Sequence, residues 1–192
     1  MKYMFFGGCL IGLLLSCTEY TPKPRGYVRI EPGPAQYAPL SVASLPYTFQ
    51  VSRQATVELP PEGDAGGWIH LDYPAFGAKI YGSYLSVTPA TLPVAEEESR
   101  SLVARQARQA TRITEKAYQD PEHRVYGSLF LIEGETVSPI QFLLTDSVSR
   151  FFRGALYYNC RPNPDSLAPV TRYLEEDILQ MIQTFNWKKE CL

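Results

Sequence analysis

Apolar and polar positions alternate along much of this chain, and the period of the alternation divides it into elements. Tyr47, Phe49 and Val51 are separated by Thr48 and Gln50, and Val57 and Leu59 alternate again, which predicts two short strands in a domain beginning near residue 46. Pro60-Pro61-Glu62-Gly63-Asp64 and Gly66-Gly67 form a turn-rich loop. Residues 68–73 and 79–87 follow as strands, interrupted by Pro74 and Gly77. Trp68, Tyr73, Phe76, Tyr81 and Tyr84 all fall in this hairpin, as suits a sheet packed on at least one face.

The period then becomes helical. Leu102, Val103, Ala107, Ala110, Ile113 and Ala117 make one apolar face of a long helix, opened by Pro93 and running to about Tyr118, with Asp120-Pro121 ending it. Glu96, Glu97 and Glu98 lie in its expected first turn, at the positive end of the helix dipole. Arg105, Arg108, Arg112 and Lys116 recur on the opposite side at steps of 3, 4 and 4, which on a helix gathers the cations into one sector. Residues 125–132, 137–145 and 150–159 read as three antiparallel strands. After Pro162-Asn163-Pro164, with Asp165 or Ser166 as cap, Leu167, Val170, Leu174, Ile178, Met181, Ile182 and Phe185 mark a second helix. Glu175, Glu176 and Asp177 fall toward its outside. The resulting class is α+β, an antiparallel sheet with helices on its faces. The element order resembles the Mog1/PsbP-like α-β-α sandwich.

The first 45 residues differ in kind. Lys2 precedes an almost uncharged stretch with Phe5, Phe6, Leu10, Ile11, Leu13, Leu14 and Leu15, too short for the ~20 residues of a membrane span but suited to a secretory signal. It ends in Leu14-Leu15-Ser16-Cys17, which resembles a bacterial lipobox. Residues 1–16 are therefore expected to be a lipoprotein signal peptide, with Cys17 the acylated first residue of the mature protein. Each buried methylene of such chains contributes ~0.8 kcal/mol, so two or three chains hold a domain on a bilayer. Residues 17–45, with Pro22, Pro24, Pro32, Pro34 and Pro39, read as an extended membrane-proximal linker, although residues 27–30 are compatible with an edge strand.

Charge and candidate chemistry narrow the function classes. Removing the signal takes away a single charge, Lys2, so the formal net charge moves from −2 to −3, too balanced to suggest nucleic acid as a partner. Cys160 and Cys191 remain after cleavage and are free to pair or not in an oxidising compartment. His70 and Asp72 share a strand face, but no third metal ligand has matching spacing, and no Gly-x-Ser-x-Gly elbow, Cys-x-x-Cys pair or phosphate-binding glycine loop exists. His123 falls in a Pro-Glu-His-Arg turn, where a solvated side chain is expected. The expectation is a non-enzyme without cofactor or metal. Its candidate contact residues are Arg105, Arg108, Arg112 and Lys116, toward an acidic partner or headgroups, and Trp68 in the aromatic hairpin. A solubilising outer face, with Glu96–Arg100 and Arg112–Glu115 as helical pairs, is the simpler account of the cations.

From Tyr20-Thr21-Pro22-Lys23-Pro24-Arg25-Gly26-Tyr27, through Arg124-Val125-Tyr126-Gly127, Gln141-Phe142-Leu143-Leu144-Thr145-Asp146-Ser147 and the segment from Phe152 to Asn159, the chain resembles the gliding motility lipoprotein GldD family of the Bacteroidota. The likeness extends over Pro162-Asn163-Pro164-Asp165-Ser166-Leu167-Ala168-Pro169-Val170 and ends at Asn186-Trp187. Residues 57–67 and 94–117 match less closely. The resemblance implies a cell-envelope lipoprotein needed for gliding, linked to the type IX secretion machinery, with other envelope proteins as partners and no known catalytic residues. Thr18-Glu19-Tyr20 lacks the acidic run of a surface-export tag, so a periplasm-facing domain is expected. The alternative is a periplasmic small-molecule or lipid-binding lipoprotein using the aromatic sheet face.

Overall fold

The computed structural model describes residues 35–60, 66–160 and 163–188. The strands are β1 (Tyr37–Pro39), β2 (Tyr47–Thr48), β3 (Gln50–Ser52), β4 (Thr56–Glu58), β5 (Ile69–Tyr73), β6 (Ala78–Ser86), β7 (Gln109–Asp120), β8 (Val125–Glu135), β9 (Ile140–Thr145), β10 (Arg150–Tyr158) and β11 (Asn186–Trp187). The helices are α1 (Leu92–Gln106) and α2 (Pro164–Gln183). Seven strands form one antiparallel sheet in the order β4-β5-β6-β10-β9-β8-β7. Two small pairs, β1–β3 and β2–β11, sit beside it.

Strand alternation sorts the sheet into two faces. Ile69, Leu71, Ile80, Phe152, Leu156, Phe142, Leu144 and Leu129 turn to one side, where they meet Val170, Leu174, Ile178, Met181 and Ile182 of α2, and Phe185 and Trp187 after it. Each fully buried aliphatic side chain there contributes about 1.5–3 kcal/mol. On the other side Leu92, Val103 and Ala107 of the α1 segment pack on Phe130, Ile132, Leu143 and Phe151. Helices thus lie on both faces, and the fold is the α+β sandwich expected.

The two helices cover their faces unequally. One rung of paired residues crosses the whole sheet as Glu58, His70, Tyr81, Ala155, Gln141, Phe130 and Glu115. The α1 residue Arg100 stands over the Phe130 ring and bonds Glu115, so this end of the rung is covered. The apolar contacts of α1 stop at β10, and the β4-β5-β6 half keeps polar and aromatic side chains on that side.

Several expectations are corrected here. The first helix ends at Gln106 rather than near Tyr118, and residues 109–120 are an edge strand paired with all of β8. Thr111, Ile113 and Thr114 favour a strand, and this pairing satisfies backbone groups that β8 would otherwise leave open. Glu96, Glu97 and Glu98 lie beyond the first turn, because α1 begins at Leu92. The α2 cap is Asn163, whose side chain accepts the Ser166 N–H, with Pro164 following it. Asp177 is buried, at 4 % exposure, rather than outside. The folded part also begins before residue 46: β1 pairs with β3, and Leu40 and Leu45 join the main core. Residues 1–34, with the signal, Cys17 and the 27–30 segment, lie outside the described residues, as does Cys191; Cys160 is exposed and forms no disulfide among the described residues.

Candidate functional site

With the first helix cut short, the four cations no longer share a face. Arg105 is in the last turn of α1, Arg108 in the following turn, and Arg112 and Lys116 on β7. Lys116 turns toward α2 and pairs with Glu175 at 3.1 Å, while Glu115 faces the other way, bonded by Arg100 at 2.8 Å and by the Ser128 hydroxyl at 2.7 Å. The expected helical pairs Glu96–Arg100 and Arg112–Glu115 are therefore replaced by ties between elements. Arg105 and Arg108 do meet, around a shallow hollow of about 500 Å³ with Gln109, Glu135 and Val137.

Trp68 lies elsewhere, on the half of the sheet that α1 does not cover. It directly precedes β5, the strand that carries His70, and with Tyr81, Ser83, Arg153 and Tyr157 it lines a cleft of about 330 Å³. Strand parity explains the grouping: Tyr81 and Ser83 of β6 pair with Ala155 and Arg153 of β10, and all four project to the α1 side. The Tyr81 ring is edge-on to His70 at 4.6 Å and to Tyr157 at 5.5 Å. Tyr84, of the opposite parity, packs instead against Tyr47 and Trp187.

A chain of side-chain hydrogen bonds forms the wall toward α1. Arg153 donates to Gln141 Oε1 at 3.3 Å, Gln141 Nε2 to Gln106 Oε1 at 2.9 Å, and Gln106 Nε2 to the Tyr157 hydroxyl at 2.9 Å. Among the described residues Arg153 has no carboxylate partner. Burial works against its charge; Tyr157 favours the charge and Arg105 opposes it. Beyond His70, outside the cleft lining, Lys79 meets Glu58 at 2.9 Å and Asp72 at 3.5 Å. His70 is held below the ordinary histidine range by burial and by Lys79, against the pull of Glu58, and so is neutral at pH 7. The Trp68 indole N–H is buried without an acceptor among the described residues.

Arg153, Tyr157 and the two glutamines escape a reading that looks for cations on helices. The signal was Phe151-Phe152-Arg153-Gly154-Ala155, where period two sets Arg153 on the face opposite Phe152.

A second polar cluster lies under α2. The Tyr37 hydroxyl donates to Asp177 Oδ1 at 2.8 Å, with Tyr73, Tyr173 and Ser52 around the same carboxyl. Burial pushes Asp177 up, against the hydroxyls of Tyr37, Ser52 and Tyr73. His123 is held by Asp120 at 2.7 Å in its exposed turn. No group of three His, Cys, Asp or Glu able to hold a metal occurs among the described residues. No helix among them is long and apolar enough to cross a membrane.

Comparison with known proteins places the molecule. It is similar to the solution structure of cyanobacterial PsbP (CyanoP) from Synechocystis sp. PCC 6803, at 9 % identity and a TM-score of 0.46, over 81 % of this chain and 94 % of that one. No curated protein matches the sequence. The family model for the gliding motility lipoprotein GldD matches residues 17–187, nearly the whole chain from Cys17 onward. This protein therefore belongs to the gliding motility lipoprotein GldD family.

Proposed function

We propose that this protein is a non-enzymatic component of the gliding motility and type IX secretion machinery, held on the cell envelope by an acylated Cys17 and facing the periplasm. Its domain binds other envelope proteins there, with the uncovered half of the sheet and the Arg105–Arg108 rim as its contact surfaces. The observation that carries this reading is the family match over residues 17–187, which begins at the cysteine expected to be lipidated. Two or three acyl chains give stable anchoring, and tyrosine, tryptophan and arginine, the residue types of the open sheet face, dominate interface energetics.

Anchor and partner are tested separately. Cys17→Ala abolishes labelling by a radioactive or clickable fatty acid and moves the domain into the soluble fraction. Unchanged labelling of that variant rules out the assignment. Charge reversal at Arg105 and Arg108 weakens co-purification with motility or secretion subunits after cross-linking of intact envelopes. A second reading, a small-ligand-binding lipoprotein, is favoured by the cleft beside Trp68 and Tyr81.

A further inference from the structure

The open sheet half contains an unusual electrostatic arrangement. Arg153 is partly buried, yet among the described residues its one bonded side-chain partner is the neutral Gln141; Tyr157 favours its charge, while Arg105, of the same sign, opposes it. A guanidinium taken out of water without a counter-charge is costly, and its planar fork matches a carboxylate. Beside it the cleft offers aromatic edges and faces from Trp68, Tyr81 and Tyr157, the last fixed by Gln106. We infer that this cleft is a binding site for a carboxylate carried on an apolar or aromatic body, with Arg153 receiving the carboxylate and Tyr81, Tyr157 and Trp68 holding the body.

The flanking charges select among anions. Glu58, Asp72 and Lys79 together carry one net negative charge beside the cleft. A dianion such as phosphate meets that repulsion in full and has a single guanidinium in the cleft to offset it. A planar monoanion is repelled less and is matched by one fork. A volume of about 330 Å³ is at the small end of ligand sites, enough for a small organic acid or the last two or three residues of a peptide chain. This inference goes beyond the proposed role by naming a ligand chemistry, and its test uses neither membrane nor motility, so either reading can fail alone.

The test is calorimetric titration of the full chain, purified in detergent, with 3-phenylpropionate and with an N-acetylated Ala-Ala-Phe peptide bearing a free C-terminal carboxylate. The amide of each and inorganic phosphate serve as controls. At least one carboxylate is expected to bind saturably, about tenfold or more tighter than its amide and than phosphate. Arg153→Gln weakens that binding by about tenfold or more, with Arg153→Lys between the two. Binding of the small acid alone assigns a metabolite site, and binding of the peptide alone assigns a chain-end site. Because Arg153 is partly buried, the exposed Tyr81→Ala provides a second variant and is expected to weaken binding about threefold or more. The inference is overturned if neither carboxylate binds saturably, if amide or phosphate binds as tightly, or if Tyr81→Ala and every folded Arg153 variant leave the affinity within about twofold of the wild type.

Discussion

Two buried aspartates show how neighbours decide what a carboxyl does. Asp146 is pushed up by burial, but the N–H groups of Ser149, Val148 and Arg150 converge on Oδ1 at 2.7–2.9 Å and the Ser149 hydroxyl on Oδ2, so it ends below the ordinary range. Asp177 has one short bond from Tyr37, its Oδ2 lacks a partner among the described residues, and burial leaves it above the ordinary range. The two therefore act oppositely with pH. A depressed carboxyl stabilises above its unfolded value near 3.9 and loses that contribution as pH falls through its folded value; a raised one stabilises below 3.9 and loses it as pH rises through its folded value. Asp146→Ala is expected to cost about 1–3 kcal/mol at pH 7, less near pH 3. Asp177→Asn keeps an acceptor for Tyr37 and is expected to raise the melting temperature at pH 7, with the gain shrinking toward pH 4. Thermal unfolding followed by circular dichroism at both ends of the range decides each case; a destabilised Asp177→Asn with unchanged pH slope refutes the second. The burial of Asp177 was legible in the spacing of Leu174, Ile178 and Met181, which brackets it, but the neighbouring Glu175 and Glu176 suggested solvent.

At the scale of elements, strands of the sheet interior and α2 were readable because one or both faces are fully buried and their period is clean. β7 was not. As an edge strand with most side chains exposed on both faces, it carries charges at Arg112, Glu115 and Lys116 that conceal alternation, and Ala110 and Ala117 suit either period. A bulge between Ala110 and Arg112 further shifts the parity, and Gly134 opposite it takes a φ of 98°, in the left-handed region that favours glycine. Gly154 has a different role: a Cβ there would run into the Phe142 ring within the main core. Gly154→Ala is expected to destabilise by about 1–3 kcal/mol or more, read as a lower denaturation midpoint at unchanged slope. An unchanged midpoint would mean that Phe142 repacks freely.

For the molecule as a whole, the sandwich class and the family likeness were legible, while the candidate cleft was not, because it depends on which half of the sheet α1 leaves bare. The α2 layer buries six helix side chains, including Leu174 and Ile178 at 0 % exposure, whereas α1 buries three. Native-state hydrogen exchange is accordingly expected to release α1 amides by local opening well before those of α2 and β9; simultaneous release would show one cooperative unit. The chain enters the described fold on the α2 side, where Tyr37 meets Asp177 and Gln50 meets Gln180 and Thr184, and its far end is stitched to the same place by β11 on β2 and by the Lys188 ammonium on the Val42 carbonyl. Any tension applied along the N-terminal segment would thus first be resisted by hydrogen bonds clamping the two ends of the described fold together, and it would have to cross the thickness of the sheet to reach the face that α1 leaves open.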